Sequence, residues 1–385
     1  MKITAIQVHV LRHPLPAPFA FSQGWVTHRS ATLVEVSTDS GLTGWGEAFA
    51  QGLEAPQIAA AAIEHALAPL LLDADPRDVE VHWHAMYHRC RDFGRTGSVI
   101  AAISALDIAL WDILGKSLGQ PIHRLLGGAF RRRVRPYATG FYRLRGPGEA
   151  KRLAEEALAH HERGFRTMKI KLGFGVDDDL AVMRAVAEAL QGRGCTLMID
   201  TNHAYGRAQA LRLGRALADY DLRWYEEPVA PEDIAGYREM RDKLPMPIAG
   251  GENAHTMYGF LPLLSAGAID IAQPDIGSCG GFTAARHIGA LAQAHGVAVN
   301  PHVWGSAVAQ AASLHWLAAL PPAHHSLAAQ EPILEYDMSD HPFRNALVDT
   351  PLRIEHGWVA VSERPGLGIE IDREVLVRYR IGGSA

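Results

Sequence analysis

The chain has 385 residues, 48% of them hydrophobic and 21% charged, with a formal net charge of −5. This is the composition of an ordinary globular protein, and its acidic balance argues against nucleic acid or an anionic membrane as an electrostatic partner. Cys90, Cys195 and Cys279 are too few and scattered for a disulfide framework or a CxxC metal site, the start of the chain lacks a signal-peptide pattern, and no apolar run is expected to reach the roughly 20 residues of a bilayer span, so a cytoplasmic location is expected.

The first elements alternate with period 2. ITAIQVHVL and ATLVEVSTDSGLTGWGEA predict a strand meander that turns at Asp39-Ser40-Gly41. Helical spacing follows over residues 54–72, 78–90 and 98–119. The last of these sets Ile103, Leu106, Leu110, Ile113 and Leu114 on one stripe and is expected to stop at Gly115 or Gly119. Leu126-Gly127-Gly128 and the basic run Arg131-Arg132-Arg133 mark a domain boundary.

From residue 133 the texture changes to short apolar strands alternating with helices. The strands are VRPYATG, RTMKIKLG, TLMIDTN, LRWYEEP, PIAGGEN, IDIAQPD, VAVNPHVW and SLAAQEPIL. This pattern predicts a (β/α)8 barrel or a close variant, whose strands are apolar because both faces are covered. A doubly wound open sheet is the weaker alternative, since no GxGxxG follows a strand. PGLGIEI and VLVRYRI near the end return to period 2 and are expected to pack as strands on the N-terminal part.

Each barrel strand from the second onward ends in an ionisable residue: Lys169 and Lys171, Asp200, Glu226 with Glu227, Glu252, Asp275, His302 and Glu331. Counted from Lys171 the intervals are 29, 26, 26, 23, 27 and 29 residues, about one strand and one helix each. Residues at that period converge on one mouth of a barrel, where active sites of such folds lie. Asp200, Glu226 and Glu252 on consecutive strands suit a hard divalent ion, magnesium before zinc, because no His or Cys joins the trio.

Lys169 and Lys171 are two apart and share a face. Two ammonium groups beside a divalent cation disfavour each other's protonated form, which predicts a lowered lysine pKa and a general base. Asp275 is placed to orient His302 as a second acid/base, and a protonated Glu331 to hydrogen-bond a developing oxyanion. Four weaker candidates, His203, Tyr205, His255 and Trp304, flank the strand ends. His84 and His88 lie one helical turn apart with no third ligand near them. The Gly-rich GSCGG (277–281) reads equally as an anion cradle or a tight turn.

Taken together, GWGE, ALDIALWDILGK, LLGG, KIKLG, MIDTNHAY, WYEEP, GGEN, QPD, NPHVWG, QEP and PGLGIEI resemble the enolase superfamily, in its mandelate racemase and muconate-lactonising branch. The resemblance spans essentially the whole chain. It implies a (β/α)7β TIM-like barrel over residues 129–355, under an α+β capping domain built from residues 1–128 and completed by a C-terminal segment, 356–385. It implies magnesium on Asp200, Glu226 and Glu252, with Lys171 as base on one face of the substrate and Lys169 touching the substrate carboxylate. His302, oriented by Asp275, is then the acid/base on the other face, and Glu331 meets the enolate oxygen.

Within the family, KIKLGFGVDDDL, EEPVAPED, QPDIGSCGGF and EYDMSDHPFR are similar to acid-sugar enzymes of the galactarolactone cycloisomerase type. That implies removal of the proton α to a carboxylate through an ene-diolate, then β-elimination. The alternatives are an acid-sugar dehydratase, a racemase or epimerase, and a non-catalytic sugar-acid binding protein. The expected partner is a small-molecule carboxylate bound by a homo-oligomer. The expected contacts are Phe21, Trp25, His28 and Arg29 in the cap loop PFAFSQGWVTHRS, with Asn202, His203 and Trp304 at the barrel mouth.

Overall fold

The structure, a computed structural model, describes residues 1–50, 52–324 and 326–381. The meander forms as an antiparallel sheet of β1 (Ile3–Phe21), β2 (Gly24–Thr38) and β3 (Thr43–Ala48), in the order β1-β2-β3. The segment expected as a cap loop is instead the far end of the β1–β2 hairpin, turning at residues 22 and 23. Register slips between Pro14 and Phe19 because Pro14, Pro16 and Pro18 have no N–H to give the ladder.

Helix α1 (Val79–Cys90) packs on the long helix α2 (Ser98–Leu118), which covers this sheet together with a broken helical stretch over 56–71 that contains one π turn. A Cβ at Gly44 would meet the Ala109 carbonyl oxygen at 2.2 Å, and one at Gly46 the Ala105 oxygen at 1.8 Å. The GWGE glycines therefore let β3 lie directly on α2. Helix α2 corrects the membrane expectation: an 18-residue stretch of its 21 residues has a mean hydropathy of 1.7, long and apolar enough for a span. It is a core helix all the same, because 83% of that stretch is buried between sheet and barrel. It ends at Gly119, whose φ of 63° is the left-handed cap.

The barrel strands are β4 (Pro136–Thr139), β5 (Thr167–Lys171), β6 (Thr196–Asp200), β7 (Tyr225–Glu226), β8 (Ile248–Gly250), β9 (Ile271–Ala272), β10 (Ala298–Val299) and β11 (Leu334–Asp337). They form one parallel sheet with β4 to β10 in sequence and β11 beside β4. Seven helices connect them: α3 (Glu149–Glu162), α4 (Val176–Leu190), α5 (Arg207–Ala216), α6 (Ile234–Lys243), α7 (Thr256–Ser265), α8 (Gly281–Ala294) and α9 (Ala307–Ala319). The sheet is curled, giving the (β/α)7β arrangement. Side chains bridge its two ends: Ile333 N donates to Asn300 Oδ1 at 2.8 Å, and Val303 N to Glu335 Oε2 at 2.8 Å.

The eighth strand is Leu334–Asp337, not SLAAQEPIL. Exposed residues dominate 326–331, whereas Leu334, Glu335 and Asp337 are buried against β4. Met198 and Trp224 stand two residues before Asp200 and Glu226 and so share their inward face. With Tyr137, Ala249, Ile271 and Ile333 they fill the barrel beneath the site.

The tail departs from its expected strands. Asp372 caps the backbone N–H groups of Glu374 and Val375, and residues Arg373–Tyr379 form a helix, α10. Its apolar side is Val375 and Leu376, a helical rather than an alternating pattern. The tail does return to the N-terminal sheet: Arg373 pairs with Glu35 at 2.5 Å, and Ile381 N donates to Val10 O at 2.8 Å.

Candidate active site

The strand ends bring the expected polar residues to one mouth. Ligand oxygens of Asp200, Glu226 and Glu252 lie within 4.8 Å of one another. Lys169 Nζ, wholly buried, donates to Glu226 Oε1 at 2.6 Å and sits 2.8 Å from Glu335 Oε1. Lys171 Nζ donates to Asp200 Oδ2 at 2.5 Å and to Asn202 Oδ1 at 3.0 Å. Trp224 Nε1 and Gln273 Nε2 donate to Glu226 Oε2 at 2.8 and 2.7 Å, fixing its second oxygen from behind. Across the mouth His302 Nδ1 meets Asp275 Oδ2 at 2.7 Å, and Gly277 N donates to Asp275 Oδ1 at 2.7 Å. His302 Nε2 faces Glu252 Oε2 at 3.6 Å.

Charge decides the protonation states here. Burial pulls Lys171 down and Lys169 adds to that, but Asp200, Glu252 and Glu226 outweigh both and hold its pKa above the usual lysine value. Carboxylates outnumber ammonium groups around Lys171, and a cation on the trio would remove that balance and favour the expected lowering. Burial likewise lowers His302, yet Glu252, Glu335 and Asp275 hold it up at about 10. Burial lifts Glu226 to about 7, against the pull of Lys169. Asp200 resists burial through Lys171 and Lys169 and stays below the usual carboxylate range.

These residues fit a divalent cation. Glu252 Oε2 is buried without a hydrogen-bond partner, and Asp200, Glu226, Glu227, Glu252, Asp275 and Glu335 crowd against three cationic side chains. An ion on the trio would offset that excess with the all-oxygen ligand set magnesium takes.

A cavity of about 380 Å³ opens above the site, large enough for a small substrate. Barrel residues Lys171, Asn202, His203, His302 and Trp304 line it from below, and Phe21, Phe49 and Leu53 of the cap from above. Phe21, Asn202, His203 and Trp304 thus reach the cavity as expected. Trp25, His28 and Arg29 do not. Trp25 points outward beneath the Arg145 guanidinium, 4.4 Å from its ring centroid, and His28 bonds Arg12 and Thr27 on the outer face of the hairpin. Arg29 is fully buried behind Trp304, with its guanidinium 4.4 Å from that ring, and pairs with Asp337 at 2.8 Å. Strand alternation sends it to the barrel side, where it ties the cap hairpin to β11.

Glu331 requires the largest correction. It is exposed at the barrel rim and paired with Arg131, because the last strand begins three residues later. Glu335 occupies the inward position instead, accepting from Thr139 Oγ1 at 2.7 Å and from Val303 N. Burial opposes its ionisation, but Lys169, His302 and Lys171 bring its pKa to about 2. It is a carboxylate anchor for Lys169 rather than a protonated donor. The apolar flanks of Glu335 in ILEYD are the signal that could have located it. Glu335→Gln is expected to lower kcat roughly 10- to 100-fold, the value of a hydrogen bond to a charged group, while Glu331→Gln stays within about twofold. Steady-state rates of the two variants check this, and the reverse ranking would restore Glu331.

Sequence reading also missed Tyr142, whose hydroxyl accepts from Trp304 Nε1 at 2.7 Å and donates to Asp337 Oδ1 at 3.2 Å, holding the cavity wall. GSCGG resolves as a docking turn. Gly280 N donates to Ser104 Oγ and Thr283 N to Asp107, so the cap itself supplies the acceptors at the start of α8. Tyr205 bonds Asp179 and Gly175 and is structural.

Residues 3–127 match the mandelate racemase / muconate lactonizing enzyme N-terminal domain, and residues 152–375 match the enolase C-terminal domain-like family. The chain is 43% identical over 381 residues to D-galactarolactone cycloisomerase of Agrobacterium fabrum, covering 99% of each. Its structure is similar to that of 3,6-anhydro-D-galactonate cycloisomerase from Zobellia galactanivorans, with a TM-score of 0.88 and 36% identity over 99% of this chain and 100% of that one. It is also similar to L-talarate/galactarate dehydratase from Salmonella typhimurium LT2 liganded with Mg and L-lyxarohydroxamate, with a TM-score of 0.87 and 29% identity over 99% and 93% of the two chains.

Proposed function

Because the chain belongs to the mandelate racemase / muconate lactonizing enzyme family of the enolase superfamily, we propose that it removes the proton α to the carboxylate of an acid sugar or its lactone and then eliminates the oxygen on the β-carbon. It is an enzyme, and magnesium is its cofactor. The observation that carries the reading is the convergence of Asp200, Glu226 and Glu252 on one point, with Lys171 and His302 both facing the cavity above it.

Asp200, Glu226 and Glu252 would hold the ion. When bound, it offsets the second negative charge that builds on the substrate carboxylate as the α-proton leaves. Lys171 takes that proton at Nζ. Its pKa is held up by the carboxylates around it, so neutralising them leaves burial and Lys169, both of which favour the free amine. Lys169, anchored by Glu226 and Glu335, does not border the cavity and would act on the substrate carboxylate as a buried cation behind its floor. His302, held by Asp275, carries a proton on the other side for the departing oxygen.

The electrons balance without a redox partner. The α-C–H bond breaks, its pair passes into the carboxylate as an ene-diolate, and the pair then returns to form the α,β double bond as the β-C–O bond breaks. The enol so formed takes a proton at the β-carbon and becomes a 2-keto acid. In a lactone the leaving oxygen is the ring oxygen, and the product is the open acid. In a dehydratase it is hydroxide. The cycloisomerase reading is preferred because two enzymes to which the chain is similar over nearly full length are cycloisomerases.

The proposal extends to a cap of residues 1–128, a barrel of 129–355 and a tail of 356–385 that returns to the cap. Cytoplasmic residence fits its three free cysteines, and exposed Phe93, Phe130 and Val377 offer apolar surface for a homo-oligomer. Proton NMR of acid sugars and lactones incubated with the enzyme in deuterium oxide tests the chemistry. Loss of the α-proton signal supports it, and its retention in a consumed substrate contradicts it.

A further inference from the structure

We infer that the substrate is a monoanion, with its one carboxylate at the lysine end of the cavity and an uncharged far end, rather than a free aldarate dianion. This rests on the acid-sugar reading above and narrows it.

The positive charge of the cavity is confined to its floor. Lys171 and His302 line it there, and among the described residues no arginine and no other lysine borders it. Two buried or half-buried arginines lie close without reaching it. Arg29 is shut behind Trp304 by its pair with Asp337, and Arg143 lines a separate cavity outside the hairpin turn, paired with Asp178. The upper wall is Phe21, Phe49 and Leu53, and the acidic Glu54 stands at the rim. A second carboxylate in this half would lose water without gaining a cation, and would face a like charge at the opening.

The far half offers neutral hydrogen bonding instead. His255 Nε2 accepts from Gly97 N at 3.2 Å, so the ring proton sits on Nδ1, which is buried and has no partner. Burial pushes this imidazole down to about 4, so at neutral pH it is an uncharged donor. A carboxylate in this half therefore gains no ion pair from that ring, whereas the uncharged Gln23, Ser98 and Asn253 that also line the cavity suit a lactone carbonyl or a sugar hydroxyl. His203, the remaining imidazole, lies at the turn after β6 and is partly open to solvent.

The test compares kcat/KM of the magnesium-loaded enzyme for matched acids: D-galactarolactone and D-galactonate against galactarate. Deuterium exchange at the α-carbon is recorded for each. The expected result is a preference for the monoanions of at least about tenfold. Galactarate turned over as well as or better than both monoanions overturns the inference while leaving the acid-sugar reading standing. Absence of α-exchange with every acid and lactone tried removes that reading, and this inference with it. Leu53→Arg, which sets a guanidinium in the upper wall, is expected to shift the ratio toward galactarate by at least about threefold. An unchanged ratio in that variant contradicts the charge argument.

Discussion

Lys171→Ala is expected to lower kcat by at least about 10³-fold while leaving the protein folded, and His302→Ala to do the same. Positioned acid/base groups contribute roughly 10²- to 10⁴-fold each, and these two lie toward the upper end because, among the described residues, no other amine or imidazolium reaches the cavity floor. The fold is expected to survive because neither side chain is part of the apolar core. Among the described residues Lys171 hydrogen-bonds Asp200 and Asn202 alone, and His302 is held by Asp275. Circular dichroism and a thermal melt beside the rate measurement separate lost chemistry from lost structure. If both variants stay folded and active, the assignment of the bases is wrong.

The second large effect is metal dependence. Treatment with EDTA is expected to abolish turnover, and added magnesium to restore it. The same addition is expected to raise the melting temperature, since an ion that binds only the folded protein at about 100 times its Kd adds roughly 2.7 kcal/mol of stability. Glu252 is the informative variant. Its Oε2 is buried with no hydrogen-bond partner among the described residues, whereas Asp200 and Glu226 are each anchored by a lysine. Glu252→Gln should therefore weaken magnesium binding without removing a contact the fold depends on. Full activity in the chelator would exclude the proposed mechanism.

Much of this was legible in the residue pattern because a barrel repeats. One strand and one helix occupy a nearly constant number of residues, so Lys171, Asp200, Glu226, Glu252, Asp275 and His302 betray their common mouth by interval alone. The eighth strand broke the pattern. The exposed connection after α9 is longer, and extrapolating the interval lands on Glu331 at the rim instead of Glu335 inside. The tail misled for a different reason. VLVRYRI is short and rich in β-branched residues, and the Asp372 cap with the adjacent buried pair Val375 and Leu376 favours a helix instead.

The cap contacts were the least legible. Whether Arg29 faces substrate or core depends on strand parity and on what lies behind it, and the sequence alone does not say that Asp337 waits there. The lysine protonation state depends on a count of neighbouring charges in three dimensions, which strand-end intervals do not supply.

The most direct test of the central claim is the fate of the α-hydrogen. D-galactarolactone or the preferred acid is turned over in deuterium oxide, and the product and the recovered substrate are read by proton NMR. The product is expected to have lost the α-hydrogen and to carry one deuterium at the former β-carbon, and Lys171→Ala and His302→Ala are each expected to slow its formation as strongly as they slow turnover. A product that retains the substrate's α-hydrogen would contradict the central claim.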